Sequence, residues 1–552
     1  MVMSSPEEAA TEAQTKEISQ LPHPESPANN EETGKPKIKS LVRSALLFLS
    51  LGIAVFAGGL DANVVAPAVP AITDDFGSAE DAGWYGTAYY LALSSCQMAW
   101  AQIYKSFPAK PVFFTAFIVF EIGNLVSALA PNSAAVIIGR ALAGAGISGS
   151  FVGGLIIVSY IIPLRWRPII TAIFALVIGS TQTAGPVVGG ALTSRLSWHW
   201  CFWISLPIGG LSLLLAPLGS PVKDPEGRRD GIKQFVEEFD VVGFALWILA
   251  VVSLTLVLQF GGGRFDWTSG PLIALYVITV FFFVLFSFTQ IRRGDVALAP
   301  GRIMKHRSFA ASALYVLSMQ AVKSQITYFL PIFFQAAQNK NALDSGVSTI
   351  PSFLSYFIFQ IIANISVSWI GLYAPFMLVG GLIGTAGTAL LSTLTTSTPA
   401  PRWIGYQILA LSGFGIGFNG PQIAAQTIFR DPSDTPVALT IITTCQDLGG
   451  SLGISIGSAI FTSLVRRRVQ KVIPNVTAEQ IFSAGITGLE ALVSPEQRPL
   501  IAEAYAYGVR VIFYVSVALA AATPIFACFV EWKSVKEKDE RSAAGSTEST
   551  ET

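Results

Sequence analysis

Long apolar runs separated by short polar stretches follow one another along most of this chain. Each run has about twenty residues, the length that an α-helix needs to cross roughly 30 Å of hydrocarbon. The order is six runs, then two, then six. They cover 44–66, 83–103, 111–130, 134–156, 168–191, 200–217, 241–260, 271–290, 309–334, 347–369, 374–396, 403–427, 437–463 and 508–530. The pattern predicts an all-α polytopic membrane protein with 14 transmembrane helices.

Composition agrees with a membrane protein and narrows its chemistry. Of the 552 residues, 52% are hydrophobic and 13% are charged, and the mean hydropathy is +0.56, which a soluble domain with a polar surface hardly reaches. The 35 basic residues balance the 35 acidic ones, which gives no reason to expect nucleic acid as a partner. The cysteines lie in apolar runs without metal-ligand spacing, so we expect no disulfide, no metal site and no cofactor. They are Cys96, Cys201, Cys445 and Cys528.

The runs also divide the chain into domains. Residues 1–43 are rich in polar residues and lack the apolar core of a signal peptide, which predicts a disordered cytoplasmic tail. Residues 532–552 are also rich in polar residues and predict a second disordered cytoplasmic tail. The two sets of six helices fall in 44–217 and 301–531, and 218–300 is a linker that carries the two extra helices.

Basic residues predict the orientation of the helices, because Lys and Arg are retained on the cytoplasmic side. With both tails inside, most of them lie inside, and the first outer loop is acidic. One cluster disagrees: Arg466-Arg467-Arg468 falls where the outer loop 467–506 is predicted to begin. The same loop carries Asn475 in the sequence Asn-Val-Thr, a glycosylation acceptor that is usable only on the non-cytoplasmic side and that also occurs by chance.

Two charged residues lie inside apolar runs at matching depth. Asp61 is about 17 residues from the inner end of the first run, and Arg140 lies near the outer end of the fourth. Charged side chains in a membrane are costly and usually paired, so we expect an ion pair. Burial and a neighbouring guanidinium act in opposite senses on the proton affinity of a carboxylate, which suits the pair to proton coupling. The alternative for Arg140 is a side chain that extends to the membrane surface.

Two further carboxylates are alternative proton carriers. Glu121 lies in the third run, and Asp447 lies in the thirteenth beside Gln446 and two glycines. For Glu121 we favour the simpler interpretation, a hydrogen bond to a neighbouring helix.

Lys323 is the least expected residue, since it lies in the middle of the ninth run. An ammonium group at that depth must face a cavity or a partner. It could pair with Asp447, hold an anionic substrate, or serve a purely structural ion pair.

Polar side chains in the tenth and twelfth runs are suited to orienting a ligand in an apolar cavity, although each could instead join two helices. They are Ser352, Gln360, Asn364, Asn419, Gln422 and Gln426.

Several motifs together resemble the major facilitator superfamily, and more closely its fungal-type fourteen-helix drug:proton antiporters. The resemblance covers residues 44–537. It rests on Leu60-Asp61-Ala62-Asn63-Val64-Val65-Ala66-Pro67-Ala68-Val69-Pro70, Gly83-Trp84-Tyr85, Arg140-Ala141-Leu142-Ala143-Gly144-Ala145-Gly146, the glycine motif from Gly185 to Gly190, and Trp198-His199-Trp200-Cys201-Phe202-Trp203-Ile204-Ser205-Leu206-Pro207.

The resemblance implies two six-helix bundles that rock about a central site, with the inserted pair outside them. It implies that the first, fourth, ninth and twelfth helices line the cavity. It also implies an antiporter motif formed by Gly185, Pro186, Gly189 and Gly190. The chain departs from the family at 101–110, which lacks the usual glycine and aspartate, and at His199 and Ser205, where Arg and Asn are usual.

These observations predict a proton-coupled exporter of small, largely apolar organic molecules such as a toxin, drug or secondary metabolite. It is expected to be a monomer in the plasma membrane, with protons, substrate and lipid as its partners. An alternative is uptake, or vacuolar transport, of a charged solute such as a siderophore or a basic amino acid, although the chain offers few acidic cavity residues for a cation. A membrane enzyme or sensor has little support, since the chain has only 3 histidines and short tails.

Overall fold

The computed structural model describes residues 38–161, 167–219, 239–262, 265–294, 297–429, 434–472 and 496–534. Outside these ranges lie Asn475, the tails over 1–37 and 535–552, and parts of the predicted linker and outer loop. The helices of the first half are α1 (Ile38–Val64), α2 (Val69–Phe76), α3 (Ala82–Ser106), α4 (Ala109–Ala128), α5 (Ser133–Ile161), α6 (Arg167–Arg195), α7 (Trp200–Trp203) and α8 (Ser205–Leu218).

The inserted pair and the second half follow in the predicted order. The pair is α9 (Val241–Phe260) and α10 (Gly270–Arg293). The second half comprises α11 (Gly301–Met304), α12 (Arg307–Ala336), α13 (Ala342–Ser348), α14 (Ile350–Ile370), α15 (Ala374–Leu391), α16 (Ala400–Gly417), α17 (Gly420–Ile428), α18 (Asp434–Val472) and α19 (Arg498–Cys528). The architecture is all-helical, as the apolar runs predict. We call the end where α1 begins the inner end, following the predicted orientation.

Within the described residues, 10 helical stretches are long and apolar enough to cross a membrane. Four predicted runs are not among them, and they correspond to α3, α6, α12 and α16 with α17. Helix α12, for example, includes Gln320, Lys323 and Gln325. Helix α12 is buried along most of its length, as expected for a helix that lies at the centre of a bundle and contacts little lipid.

Several element boundaries differ from the prediction; the last helix, for example, begins at Arg498 and not at residue 508, inside the predicted outer loop. The first span does not end at residue 66, because a short 3₁₀ turn over Ala66–Ala68 leads directly into α2, which extends the span to Phe76. Gly77 then ends α2 in the left-handed conformation (φ 57°) that glycine tolerates best. At the other end of the chain, α18 continues through Val472, so Arg466, Arg467 and Arg468 are helical and do not begin a loop.

The inserted pair lies at one lateral seam between the halves. Asp240 caps α9 by accepting from the backbone N–H of Gly243, and Gln290 of α10 donates to the same carboxylate at 3.0 Å. Farther along α9, Nε2 of Gln259 donates to Thr87 of α3 at 2.9 Å and to Ser455 of α18 at 3.4 Å. The insert therefore bonds to both halves at the seam between α3 and α18.

The two halves also meet directly at their outer ends. The hydroxyl of Tyr328 on α12 donates to the backbone carbonyl of Ala82, and Gln335 donates to the carbonyl of Pro67 at 3.0 Å. The backbone N–H of Leu343 donates to Ser194 of α6 at 3.1 Å. These bonds join the first half to α12 and α13, so the outer end of the central space is closed.

Candidate proton and substrate sites

Asp61 and Arg140 form the ion pair that their matching depth predicts. Nη1 of Arg140 lies 2.8 Å from both carboxylate oxygens of Asp61, and both side chains are fully enclosed, with exposures of 0% and 1%. The backbone brings them together because Gly58 and Gly59, just before Asp61, let α1 lie close to Ile147 of α5 and Thr181 of α6. The alternative of an Arg140 side chain extending to the membrane surface is wrong.

Aromatic rings and a backbone carbonyl hold the guanidinium in place. Nε of Arg140 donates to the carbonyl of Tyr85 at 3.2 Å, and its carbon Cζ lies 4.3 Å from the centre of the Tyr89 ring. Phe202 of α7 lies on another side at 5.8 Å. Such planar contacts suit arginine and would be lost with lysine. The guanidinium is therefore fixed, and protonation of Asp61 would leave it without its counter-charge.

A cavity of about 30 Å³ lies beside this pair and between the two halves. From the first half it is lined by Asn63, Tyr90 and Arg140, and from the second half by Tyr328 and Phe353. A space of this volume holds about one water molecule. Arg140 is thus in contact with the central space, as the resemblance implies, while Asp61 lies behind it.

Lys323 lies among aromatic rings and not against a carboxylate. Nζ lies 4.1 Å from the centre of the Tyr356 ring and 5.8 Å from that of Phe418. It makes no direct ion pair with Asp447, although the two charges are near enough to interact. Both side chains are 9% exposed. The suggested direct pairing is therefore not formed, and the ammonium group keeps N–H donors that no carboxylate occupies.

The predicted polar cavity residues divide into two groups. Asn419 donates to Asn364 at 2.9 Å, and Gln422 donates to Gln446 at 3.0 Å. These bonds join α16 and α17 to α14 and α18, the helix-joining alternative that the sequence left open. Gln360 is half-buried and Gln426 is exposed.

Ser352 of the same predicted set belongs to the helix-joining group. It donates to Oε1 of Gln407 at 2.7 Å and so connects α14 to α16. On α17, the amide oxygen Oε1 of Gln422 is buried and accepts no hydrogen bond.

Glu121 does not make the interhelical hydrogen bond that we favoured. Both carboxylate oxygens are buried, and neither has a hydrogen-bond partner. The carboxyl group lies against Gly209 of α8, where the absence of a side chain provides the room that the oxygens occupy. The expectation was wrong because α8 offers a glycine, and not a donor, at this level.

The glycine motif packs α6 on two different partners. Gly185 contacts Asn63 of α1, and Gly189 approaches the backbone carbonyl of Val64 so closely that a Cβ atom would overlap it. Gly190 instead faces the second half, where a Cβ atom would overlap the carbonyl oxygen of Ala342. The helix continues through Pro186 to Arg195 without a break. One side of the motif therefore fixes α1, and the other touches the opposite half at the outer end.

The basic cluster of α18 finds partners at the outer end. Arg466 lies 3.6 Å from Asp266, which is in the connection between α9 and α10. The guanidinium carbon of Arg468 lies 3.4 Å from the centre of the Tyr507 ring on α19. An acidic residue and an aromatic ring thus compensate for basic residues on a side where they are unusual.

Sequence reasoning missed the aromatic partners of both buried cations. Tyr85 and Tyr89 are four residues apart and so share one face of α3, a spacing that could have indicated an arginine contact. Tyr356 and Phe418 lie on different helices, and no spacing joins them. Within the described ranges there is no group of three or more His, Cys, Asp or Glu residues that could hold a metal ion.

Comparison with known proteins identifies the family. The model of the Major Facilitator Superfamily matches residues 51–454. The chain belongs to the Major Facilitator Superfamily. The efflux pump MFS1 of Trichophyton rubrum is 38% identical over 506 residues, which cover 91% of this chain and 94% of that protein. The efflux pump roqT of Penicillium rubens is 36% identical over 89% of this chain and 91% of its own length. The aspyridones efflux protein of Neocamarosporium betae is 35% identical over 89% and 88%.

Solved structures agree with this membership at the level of the fold. A bacterial homologue of the human lysosomal transporter Spinster superposes with a TM-score of 0.62 over 91% of this chain and 100% of that chain, at 14% identity. A D-xylose–proton symporter gives 0.53 over 82% and 96%, at 16% identity. This Major Facilitator chain is thus a multi-pass membrane transporter and not an enzyme, and its curated relatives are fungal efflux pumps.

Proposed function

We propose that this protein is a proton-coupled efflux transporter that exports small, largely apolar organic compounds, such as drugs, toxins or secondary metabolites, by alternating access. The observation that carries the proposal is the enclosed Asp61–Arg140 pair beside a cavity between two helical halves. Relatives named as efflux pumps, similar over about nine-tenths of the chain, support the direction of transport.

The same proposal includes the membrane arrangement. Four predicted runs are not among the 10 apolar stretches, namely those of α3, α6, α12 and α16 with α17. Each is nevertheless helical and packs within the bundle, which supports 14 spans. An even number of spans puts both tails on one side, and the basic residues favour the cytoplasm. A monomer in the plasma membrane is the simplest assembly for export of this kind.

Asp61 is the proton carrier in this proposal, and Arg140 controls it. A carboxylate and a guanidinium buried together are stable as a neutral unit, and removing the charge of one leaves the other unpaired at high cost. A proton that binds Asp61 therefore disturbs the guanidinium, which contacts both the cavity and helix α3. This link between proton binding and helix position provides the coupling. Asp447 remains the alternative carrier in the second half.

Lys323, Tyr356 and Phe418 provide the substrate-facing surface of the second half. The rings of Tyr356 and Phe418 meet edge to face at 71°, with centres 5.6 Å apart, and Lys323 lies over the Tyr356 ring. An apolar aromatic molecule can pack on such rings while an acidic substituent bonds the ammonium group. Gln360, Gln422 and Gln426 lie on the neighbouring helices α14 and α17 and offer amides for polar substituents.

The glycine motif keeps the outer end closed while substrate enters from inside. Gly190 and the carbonyl of Ala342 are in contact across the halves, as are Gly346 and the carbonyl of Pro186. Backbone approach of this kind needs residues without side chains. Opening to the outside must break these contacts. They are therefore present in the state with the outer end closed and absent from the state with the outer end open.

The test is export driven by an imposed pH gradient in vesicles that contain the purified protein. A panel of hydrophobic fluorescent dyes is loaded, and the loss of dye is followed with and without an uncoupler. We expect gradient-driven movement by the wild type, none by Asp61→Asn, and full activity of Asp266→Asn, a matched change at an exposed loop carboxylate. Undiminished export by Asp61→Asn would reject the carrier, and movement of solute in the opposite direction would indicate uptake.

A further inference from the structure

Helix α4 carries a buried carboxyl group that the transport cycle proposed above does not use. Glu121 is 9% exposed, and neither of its oxygens has a hydrogen-bond partner. Asn124, three residues later and therefore on a neighbouring part of the same helix face, is fully buried, and both of its polar side-chain atoms are also unpartnered. Four buried polar atoms without partners, on side chains three residues apart, are unusual in a folded core and require an explanation.

The neighbouring helix forms the other wall of this site. The Glu121 carboxyl group faces Gly209 of α8, and residues 205–218 include no titratable side chain. Because α4 and α8 run in opposite directions, Ser205, about one turn before Gly209, lies toward the level of Asn124. The Ser205 hydroxyl is fully buried and has no partner either. A carboxyl, an amide and a hydroxyl group without partners therefore lie on α4 and α8 at neighbouring levels.

One charged pair lies near this region. Asp61 of α1 is close enough for its charge to act on Glu121, and Arg140 of α5 is paired with Asp61. Arg140 donates to Asp61 and to the carbonyl of Tyr85, and it makes no bond to Glu121. The negative charge of Asp61 therefore acts on Glu121, whereas Arg140, which neutralises Asp61, makes no bond to Glu121.

The charge state of Glu121 follows from these contacts. A buried carboxylate without a donor or a counter-charge is energetically costly, whereas a neutral carboxylic acid costs much less. The neutral form also supplies an O–H donor, which the amide oxygen of Asn124 or an ordered water can accept. Two interacting carboxylates in a low-dielectric region also tend not to be charged at the same time.

We propose that Glu121, Asn124 and Ser205 form a second proton-binding site, whose proton is held by the carboxyl group of Glu121 and whose occupancy depends on the charge of Asp61. The proton site itself is supported by the burial of these side chains on α4 and α8 and by their lack of hydrogen-bond partners. Its influence on export rests on the proposed function of Asp61.

Infrared spectroscopy of the purified protein in lipid nanodiscs tests the site without any substrate. The carbonyl stretch of a protonated carboxylic acid is separate from that of a carboxylate. We expect one such band at neutral pH to be lost in Glu121→Gln and kept in Glu531→Gln, a change at a half-buried carboxylate near the inner end. Glu121→Asp should keep a band at a shifted frequency, which shows that loss in the glutamine variant is not misfolding. A Glu121→Gln spectrum equal to that of the wild type would overturn the site.

The dependence on Asp61 has its own measurement. The pH at which the Glu121 band disappears is recorded in the wild type and in Asp61→Asn. We expect a displacement of about one pH unit or more, because the neighbouring charge has been removed. Equal midpoints would overturn the coupling. Neither result depends on export, so a failure of the transport assay and a failure of this proposal remain distinguishable.

Discussion

Gly190 of α6 touches the backbone carbonyl of Ala342 across the boundary between the two halves, at a spacing that leaves no room for a Cβ atom. The first prediction follows from this contact. In Gly190→Ala the added methyl group should disfavour the state with the outer end closed by about 1–3 kcal/mol, the usual cost of overpacking. We expect export to fall about fivefold or more in the vesicle assay, because each 1.4 kcal/mol is a factor of ten in an equilibrium.

Gly210→Ala is the matched control for that change. Gly210 is also a helical glycine, on α8, and no atom lies within 4 Å of the position of its missing Cβ. Export should be within twofold of the wild type, since about the same side-chain volume is added in open space. Equal losses in both variants would show that α6 has no special role in closing the outer end.

The second prediction concerns Ser194 and Leu343, which are hydrogen-bonded across the halves at 3.1 Å. Cysteines at both positions, in a background without the four native cysteines, should form a crosslink that holds the outer end closed. Export should stop under oxidising conditions and return on reduction. Continued export by fully crosslinked protein would mean that these ends need not separate during transport. Each single cysteine variant serves as the control.

The third prediction concerns the shape of the Arg140 side chain. Lysine would preserve the charge opposite Asp61 but lose the bond from Nε to the Tyr85 carbonyl and the planar contact with Tyr89. We expect Arg140→Lys to retain less than about a tenth of gradient-driven export, since a lost bond to a charged group costs about 1.5–3 kcal/mol. The measurement is initial efflux rate per folded protein, with folded amount taken from size-exclusion profiles. Export at the wild-type rate would show that charge alone is sufficient.

The fourth prediction separates the two roles of Lys323. If the ammonium group binds acidic substituents, Lys323→Gln should weaken binding of an acidic aromatic dye about tenfold and leave its methyl ester nearly unaffected. Measured affinities of both dyes in Asp447→Asn and in the double variant complete a double-mutant cycle. Equal losses for acid and ester would indicate a structural lysine. A large coupling energy with the ester would indicate that Lys323 and Asp447 act mainly on each other.

The sequence was sufficient for the helical architecture, because twenty-residue apolar runs have few other solutions in a membrane. It also predicted the Asp61–Arg140 pair, since two opposite charges at the same depth in a membrane are each costly alone and much less costly when paired. Glu121 shows where such reasoning fails. Its neighbour is decided by how α8 rotates against α4, and no local pattern along either helix specifies that rotation.

Lys323 shows the same limit in another form. Its depth in α12 indicated that it needs a partner, but the choice among Asp447, Tyr356 and Phe418 depends on the packing of three other helices. The boundary of α18 is different again, because helix propensity continues past the membrane and hydropathy alone marks only the lipid-covered part.

Gln259 of the inserted pair bonds to both halves at the seam between α3 and α18. A seam that is covered in this way is not available to molecules dissolved in the surrounding lipid. The opposite seam lies between α6 and α14, where Gly179 and the ring of Phe357 are in contact and no inserted helix intervenes among the described residues. We therefore expect hydrophobic compounds that enter sideways from the bilayer to do so on one flank of the molecule, which makes an otherwise pseudo-symmetric transporter one-sided toward its lipid.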